Sequence, residues 1–218
     1  MIISIASGKG GTGKTTVATN MAQSIKNIQF LDCDVEEPNA NIFLKTKIRT
    51  HWNITKELPS INKETCTYCG KCADFCTYNA LAIVNNKSLI FPELCHSCGG
   101  CSIVCPNHSI DYIAKPIGTI EYGKKGALDF YQGLLNVGEL QAIPIIHALK
   151  NKINPNRHTI IDAPPGTSCP VIESIVDTDY CILVTEPTPF GLYDLKLAVK
   201  VVQHLTIPFG CLLYTSPS

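Results

Sequence analysis

Residues 8–16 read Gly8-Lys9-Gly10-Gly11-Thr12-Gly13-Lys14-Thr15-Thr16, and this stretch decides the fold. It fits G-x-x-x-x-G-K-[ST], the pattern of a loop whose backbone amides turn inward around phosphate oxygens. The context agrees. The apolar run Ile2 to Ile5 precedes it as a strand, and Val17, Met21, Ala22 and Ile25 follow at the spacing of one buried helix face. A helix beginning there adds its positive end to the same anion site. The motif predicts that Gly8 through Thr16 cradle a nucleotide, that Lys14 reaches the β- and γ-phosphates, and that the Thr15 hydroxyl ligates Mg²⁺. A glycine-rich turn with incidental lysines is the bland alternative.

Working outward, Ile28 to Leu31 reads as a second strand that ends in Asp32-Cys33-Asp34. Thr159 to Asp162 reads as another, closed by an aspartate and followed by Pro164-Pro165-Gly166. Strand-end aspartates either serve chemistry or cap the next helix. Tyr180 to Thr185 is a further buried strand, while Ile143 to Leu149 and Leu192 to Leu205 read as helices. Gly118 to Gly138 is glycine-rich and reads as loops. Strand–loop–helix–strand order of this kind predicts an α/β fold with a mostly parallel sheet and right-handed crossovers, the P-loop NTPase class.

The character of the chain changes near Ile61. Eight of its 12 cysteines fall between Cys66 and Cys105, in two copies of C-x₂-C-x₂-C-x₃-C. This is the spacing of two-cluster bacterial ferredoxins. Three cysteines in even steps wrap one cube, and the fourth serves the other. The expected ligands are Cys66, Cys69, Cys72 and Cys105 for one [4Fe–4S] cluster, and Cys95, Cys98, Cys101 and Cys76 for the second. Thr77 stands where proline follows the fourth cysteine, as Pro106 does in the second copy. Two zinc sites, or a single retained cluster, are the alternatives. Ala80 to Val84 and Ser88 to Phe91 flank Asn85-Asn86 as a hairpin. The boundaries expected are 1–61 and 116–218 for the α/β domain, with 62–115 an inserted α+β module like a bacterial ferredoxin. Cys33, Cys169, Cys181 and Cys211 read as small buried hydrophobes. Cys33 also lies between two aspartates, a place where oxidation could be sensed. His96 and His108, beside ligands, either tune a cluster or are solvated.

Composition fits a globular chain. Of 218 residues 45% are hydrophobic, and the formal net charge of zero argues against a nucleic-acid partner held by bulk electrostatics. No apolar run is long enough to span a membrane and no secretory signal opens the chain, so a cytoplasmic location is expected and a secreted disulfide scaffold is disfavoured.

Taken together, Lys9 to Thr15 (K-G-G-x-G-K-[ST]), the two aspartate strand ends and the cysteine repeats resemble the MinD-superfamily P-loop ATPases with an inserted ferredoxin domain. These belong to the deviant-Walker class that includes MinD and the nitrogenase iron protein. The resemblance implies ATP and Mg²⁺ as ligands and a slow, partner-stimulated ATPase. It implies that Lys9 reaches the nucleotide of a partner subunit in an ATP-dependent homodimer, or in a heterodimer with a related ATPase. By the same resemblance Asp34 orients the attacking water, Asp32 acts near Mg²⁺, Asp162 holds Mg²⁺ through water, and the Gly166 amide meets the γ-phosphate. Lys9, Lys14 and Asp34 are then the catalytic set. Glu186-Pro-Thr-Pro-Phe-Gly-Leu resembles a loop near the nucleotide, with no single role assigned. Three functions follow as expectations. One is nucleotide-gated electron transfer to a redox partner. The second is iron–sulfur cluster carriage to a client protein. The third is a redox-sensing positioning module. Related chains continue with an asparagine that reads adenine. Here Ile207-Pro208-Phe209-Gly210 leads into Cys-Leu-Leu-Tyr-Thr-Ser-Pro-Ser, so a truncated or foreign ending is expected.

Overall fold

The computed structural model describes residues 1–213; the last five, on which part of the expected foreign ending falls, lie outside the described residues. In chain order the elements are β1 (Ile2–Ala6), α1 (Lys14–Ser24), β2 (Ile28–Asp32), α2 (Ala40–Leu44), β3 (Lys47–Ile61), α3 (Lys71–Phe75), β4 (Leu81–Val84), β5 (Lys87–Ile90), α4 (Gly100–Ile103), β6 (Ile110–Lys125), β7 (Leu128–Leu135), α5 (Ile143–Lys150), β8 (His158–Asp162), α6 (Cys169–Ile175), β9 (Tyr180–Thr185), α7 (Pro189–His204) and β10 (Phe209–Leu213). Two compact units divide the chain. One takes in residues 1–54, 118–136 and 142–213, and the other 55–117 and 137–141.

The first unit is built on a sheet ordered β10-β9-β1-β8-β2-β7-β6-β3. From β10 through β7 every pairing is parallel, and β6 turns antiparallel on β7. The short central strands β1, β2, β8 and β9 are apolar runs because helices cover both of their faces. Ile5, Phe30, Phe130 and Ile160 are fully buried with Ala18 and Ala22 of α1, and Phe30 stacks on Phe130 at 5.9 Å. A second cluster joins Leu183 of β9 with Ala198 and Val202 of α7.

Three readings of the sequence change here. Residues 118–135 are not loops apart from a two-residue turn: Gly118 to Lys125 pairs with Leu128 to Leu135 as a hairpin, and only 136–138 keep the loop reading. Gly118 and Gly133 answer to packing, whereas Gly126, at a φ of 58°, makes the turn between the strands. A Cβ on Gly118 would stand 2.2 Å from the Leu134 carbonyl oxygen, and one on Gly133 would stand 2.6 Å from Val35 Cγ1. In α1 the fully buried side is Ala18, Thr19 and Ala22, with Val17 and Met21 half-buried and Ile25 outside the helix. Small residues let the helix lie close to the sheet. Lys47–Ile61 gave no strand signal because its first seven residues are exposed at a sheet edge, where Lys47 and Arg49 discourage further pairing.

The second unit is small. Its core is two satellites, Leu58, Ala80 and Cys95 with Cys76 against them, and Leu81, Cys101 and Ile110 with Cys72, Cys105 and Tyr112 against them. The hairpin β4–β5 pairs Leu81 with Ile90, and Asn85 and Asn86 form its turn with φ of 49° and 55°. Those left-handed angles suit asparagine and the twist of a two-residue turn. A buried ion-pair network closes the unit. Glu139 receives Lys56 at 3.1 Å and Lys115 at 2.5 Å, and Lys56 also donates to the Pro92 carbonyl at 2.9 Å. Gln141 Nε2 donates to the Cys95 carbonyl at 2.7 Å. These contacts hold the chain that leads into the second cysteine repeat.

Candidate functional site

The glycine loop leaves β1 and ends at Gly13, whose φ of 85° caps α1 in the left-handed region. Gly11 is also left-handed, at 78°, and a Cβ on Gly10, Gly11 or Gly13 would meet nothing within 4 Å. These glycines serve backbone shape and open amides, which is what a phosphate requires. Gly8 differs, because a Cβ there would stand 2.3 Å from the Asp194 carbonyl oxygen on α7. A cleft of about 360 Å³ is lined by Gly10 through Thr16 with Asp34, Glu37 and Pro165.

Lys14 is 7% exposed and its Nζ lies 4.0 Å from Asp162 Oδ1. Asp32 and Asp162 are register partners at the ends of β2 and β8. They differ in their bonding. Asp32 Oδ2 accepts the Ala40 amide at 3.0 Å and Oδ1 accepts the Asp34 amide at 3.2 Å. It therefore braces the turn before α2, as the capping alternative foresaw. Both Asp162 carboxylate oxygens are buried with no hydrogen-bond partner among the described residues. A buried carboxylate under a phosphate loop, on which the Thr15 hydroxyl acts, has the donor chemistry for Mg²⁺.

Burial pushes the Asp162 carboxyl up to about 6 against the pull of Lys14. Burial raises Asp34 as well, again opposed by Lys14, and raises Asp32 well above the carboxylate range with Asp162 adding to it. Between the ordinary value of 3.8 and about 6 the folded chain binds more protons at Asp162 than the unfolded chain does. Its stability without ligand therefore falls as pH rises through that window, by on the order of 2 kcal/mol. Urea melts at pH 5 and 7 are expected to show this slope, and Asp162→Asn to flatten it. MgATP should reverse it, since the ion favours the charged form.

Lys9 does not line the cleft. Its ammonium pairs with Glu186 Oε1, which also accepts the Thr188 hydroxyl at 2.9 Å. Thr188 in turn caps α7 through the Gly191 amide at 3.0 Å. The Gly166 amide donates to the Ser7 carbonyl at 3.0 Å. Glu186 is the partner that the sequence left without a single role; its signals were its place after a buried strand and the resemblance of its loop to one near the nucleotide.

In the second unit, Cys76, Cys95, Cys98 and Cys101 line one cavity of about 310 Å³, with Phe75, Tyr78, His96 and Tyr112 among its walls. Tyr78 and His96 stack at 3.8 Å. Cys72 lies within electrostatic reach of Cys105 and Cys66. Backbone amides at 3.4 Å donate to sulfur: Tyr68 to Cys66, Ala80 to Cys76 and Ser109 to Cys105. The Ser109 amide holds the Cys105 thiol below the usual thiol range. Cys69 and Cys98 are exposed. Among the described residues no three His, Cys, Asp or Glu side chains converge on a point that would hold a single metal ion. Of the remaining cysteines, Cys33 and Cys181 are buried, but Cys169 and Cys211 are exposed, which corrects the buried reading for that pair. Cys169 opens α6 and Cys211 sits on the terminal strand β10, where no further strand or helix covers it among the described residues. No described helix is long and apolar enough to cross a membrane.

Comparison with known proteins agrees with the fold of the nucleotide unit. The uncharacterized protein MJ0579 of Methanocaldococcus jannaschii is 33% identical over 98% of this chain and 79% of its own length. An iron-sulfur cluster carrier protein of the same organism is 26% identical over 94% of this chain and 56% of its own. The septum site-determining protein MinD complexed with Mg-ADP, from Pyrococcus horikoshii, superposes with a TM-score of 0.54 at 16% identity, covering 97% of this chain and 69% of that one. The model of the CobQ/CobB/MinD/ParA nucleotide binding domain matches residues 3–209, and the chain belongs to that family.

Proposed function

We propose that the chain is an ATP-binding and ATP-hydrolysing iron–sulfur protein in which nucleotide gates electron transfer through two [4Fe–4S] clusters. One observation carries the reading. Cys76 comes from the first repeat, yet it shares a cavity with Cys95, Cys98 and Cys101 of the second. Crossed ligation of this kind is what the repeat spacing asks for. A cube presents four irons at separate corners, so its cysteines surround a cavity and need not converge on a point. Cys66, Cys69, Cys72 and Cys105 would hold the other cluster. When bound, each cluster supplies a one-electron carrier, and Mg²⁺ neutralises phosphate charge.

The chain's own residues do the rest. The amides of Gly10 to Thr15 cradle phosphate, Lys14 balances its charge, the Thr15 hydroxyl would ligate Mg²⁺, and Asp162 would hold the ion through water. Asp34, at the mouth of the cleft, orients water onto the γ-phosphate. Asp32 acts near Mg²⁺ by fixing the backbone of Asp34. Lys9 reaches a partner subunit's nucleotide only by giving up Glu186, so its ion pair within the chain opposes dimerisation and keeps basal turnover slow. Exchange of electrons with a redox protein, and acceleration of hydrolysis by a partner, complete the proposal. Cluster carriage to a client protein is the second reading, favoured by the similarity to the iron-sulfur cluster carrier protein.

The test is an anaerobic redox titration followed by EPR with MgATP, with MgADP and without nucleotide. Gating predicts two clusters, at least one of whose midpoints moves with nucleotide. Two clusters that ignore nucleotide, in a chain that passes iron and sulfide to an apo-ferredoxin, would favour the carrier instead.

A further inference from the structure

The aromatic wall of the cavity lined by Cys76, Cys95, Cys98 and Cys101 contains one hydroxyl with an unusual set of neighbours. Tyr112 Oη lies 3.0 Å from the Gly99 carbonyl oxygen, 3.1 Å from Ser102 Oγ and 3.5 Å from Cys101 Sγ. Ser102 Oγ itself donates to the Gly99 carbonyl at 2.9 Å. The phenol has one proton to give. While Cys101 is a thiol, its own proton can go to the Tyr112 oxygen, and the phenol donates to Gly99. A cysteine bound to iron has lost that proton and can only accept. Gly99 remains supplied by Ser102. The phenol then turns its proton onto sulfur by rotating about its C–O bond, with no heavy atom moving.

The internal repeat provides a control within the same chain. The second copy follows the first by 29 residues, Cys66 to Cys95, so the position answering to Tyr112 is Ile83. Ile83 sits in β4 paired with Ser88 and carries no donor. The two cysteine sets are alike in spacing, and the hydroxyls of Tyr112 and Ser102 answer to Ile83 and Ala73 in the first copy.

We propose that Tyr112 is a positioning residue that donates its hydroxyl to the Cys101 ligand sulfur and raises the reduction potential of the Cys76–Cys95–Cys98–Cys101 cluster above its otherwise ordinary value. The inference rests on the cluster reading given above and adds a tuning residue that the cysteine spacing does not contain. The direction follows from charge. Reduction makes the cluster and its sulfurs more negative, a hydrogen bond to sulfur is stronger in that state, and the reduced form is favoured. Sulfur is a weak acceptor, so the expected effect on the reduction equilibrium is three- to tenfold; tenfold is about 59 mV for one electron.

The experiment is an anaerobic EPR-monitored titration of the full-length, cluster-loaded chain. Tyr112→Phe keeps the ring and removes the proton. It is expected to lower one midpoint three- to tenfold in equilibrium constant, with the other midpoint and the iron content unchanged. Ser102→Ala keeps the phenol but leaves Gly99 to capture its proton, and should lower the same midpoint. If Tyr112→Phe fails to assemble its cluster, Ser102→Ala carries the test alone. Midpoints equal to wild type in both variants, or two midpoints displaced together, overturn the inference while the cluster reading stands. A wild-type chain that binds no iron overturns both.

Discussion

Replacement of Lys14 by alanine is expected to weaken MgATP binding roughly 100-fold while leaving iron content unchanged. A hydrogen bond to a charged group contributes about 1.5–3 kcal/mol, which spans roughly ten- to 150-fold in affinity. Lys14 belongs near the upper end for two reasons. It is almost fully buried, so water screens it little, and it is the cation that offsets Asp162 and Asp34. Without it the cleft-lining Asp34 and the buried Asp162 repel a phosphate with no lysine to offset them. The loss must also appear as the disappearance of nucleotide-dependent self-association. Isothermal titration with ATP in the presence of Mg²⁺ reads the first effect and sedimentation velocity the second. Affinity within threefold of wild type would remove Lys14 from the phosphate site. A parallel loss of iron would mean that nucleotide and cysteine chemistry are not separable modules.

The parts of the fold that the sequence disclosed are those where one physical requirement dominates. Strands β1, β2, β8 and β9 are buried on both faces, so each had to be a short apolar run, and each ends where chemistry is needed. The glycines at 11 and 13 are in the motif because their φ angles demand them. The hairpin of β6 and β7 was hidden for the converse reason. Gly118 and Gly133 make room for Leu134, Val35 and Ile145, and a glycine chosen for packing looks in sequence like a glycine chosen for turning. Likewise β3 was silent, since an exposed edge strand needs no apolar pattern. The pairing of Lys9 with Glu186 joins residues 177 apart and leaves no local trace. Tyr112 stood closer to legibility. Aligning the repeats sets it against Ile83, and a hydroxyl in one copy only was visible before any coordinate.

The cysteine assignments admit a sharper test than single replacements. Cys76→Ser should lower the iron bound from about eight to about four atoms per chain, because a cube deprived of one thiolate loses a corner ligand. Any of the eight cysteines would do the same, so the number alone cannot tell one connectivity from another. Pairs can. If the fourth cysteine of each repeat serves the opposite triad, Cys76 and Cys95 belong to one cluster, and the double replacement should retain the same four irons as either single. Cys76 with Cys105 takes one ligand from each cluster and should leave none. If each repeat instead keeps its own four cysteines, Cys76 and Cys95 fall in different clusters and their double replacement empties the chain, while Cys76 with Cys69 spares one cluster. The cavity shared by Cys76, Cys95, Cys98 and Cys101, and the electrostatic reach of Cys72 to Cys105, favour the crossed pattern. Iron and acid-labile sulfide on anaerobically reconstituted protein decide between them. Cys76 packs against the small cluster of Leu58, Ala80 and Cys95, and serine there replaces sulfur by oxygen with little change of volume. Circular dichroism of the double variants should therefore keep the α/β signature of the nucleotide unit, and MgATP should still bind. A Cys76 and Cys95 double variant with no iron and intact nucleotide binding would refute crossed ligation without touching the phosphate site.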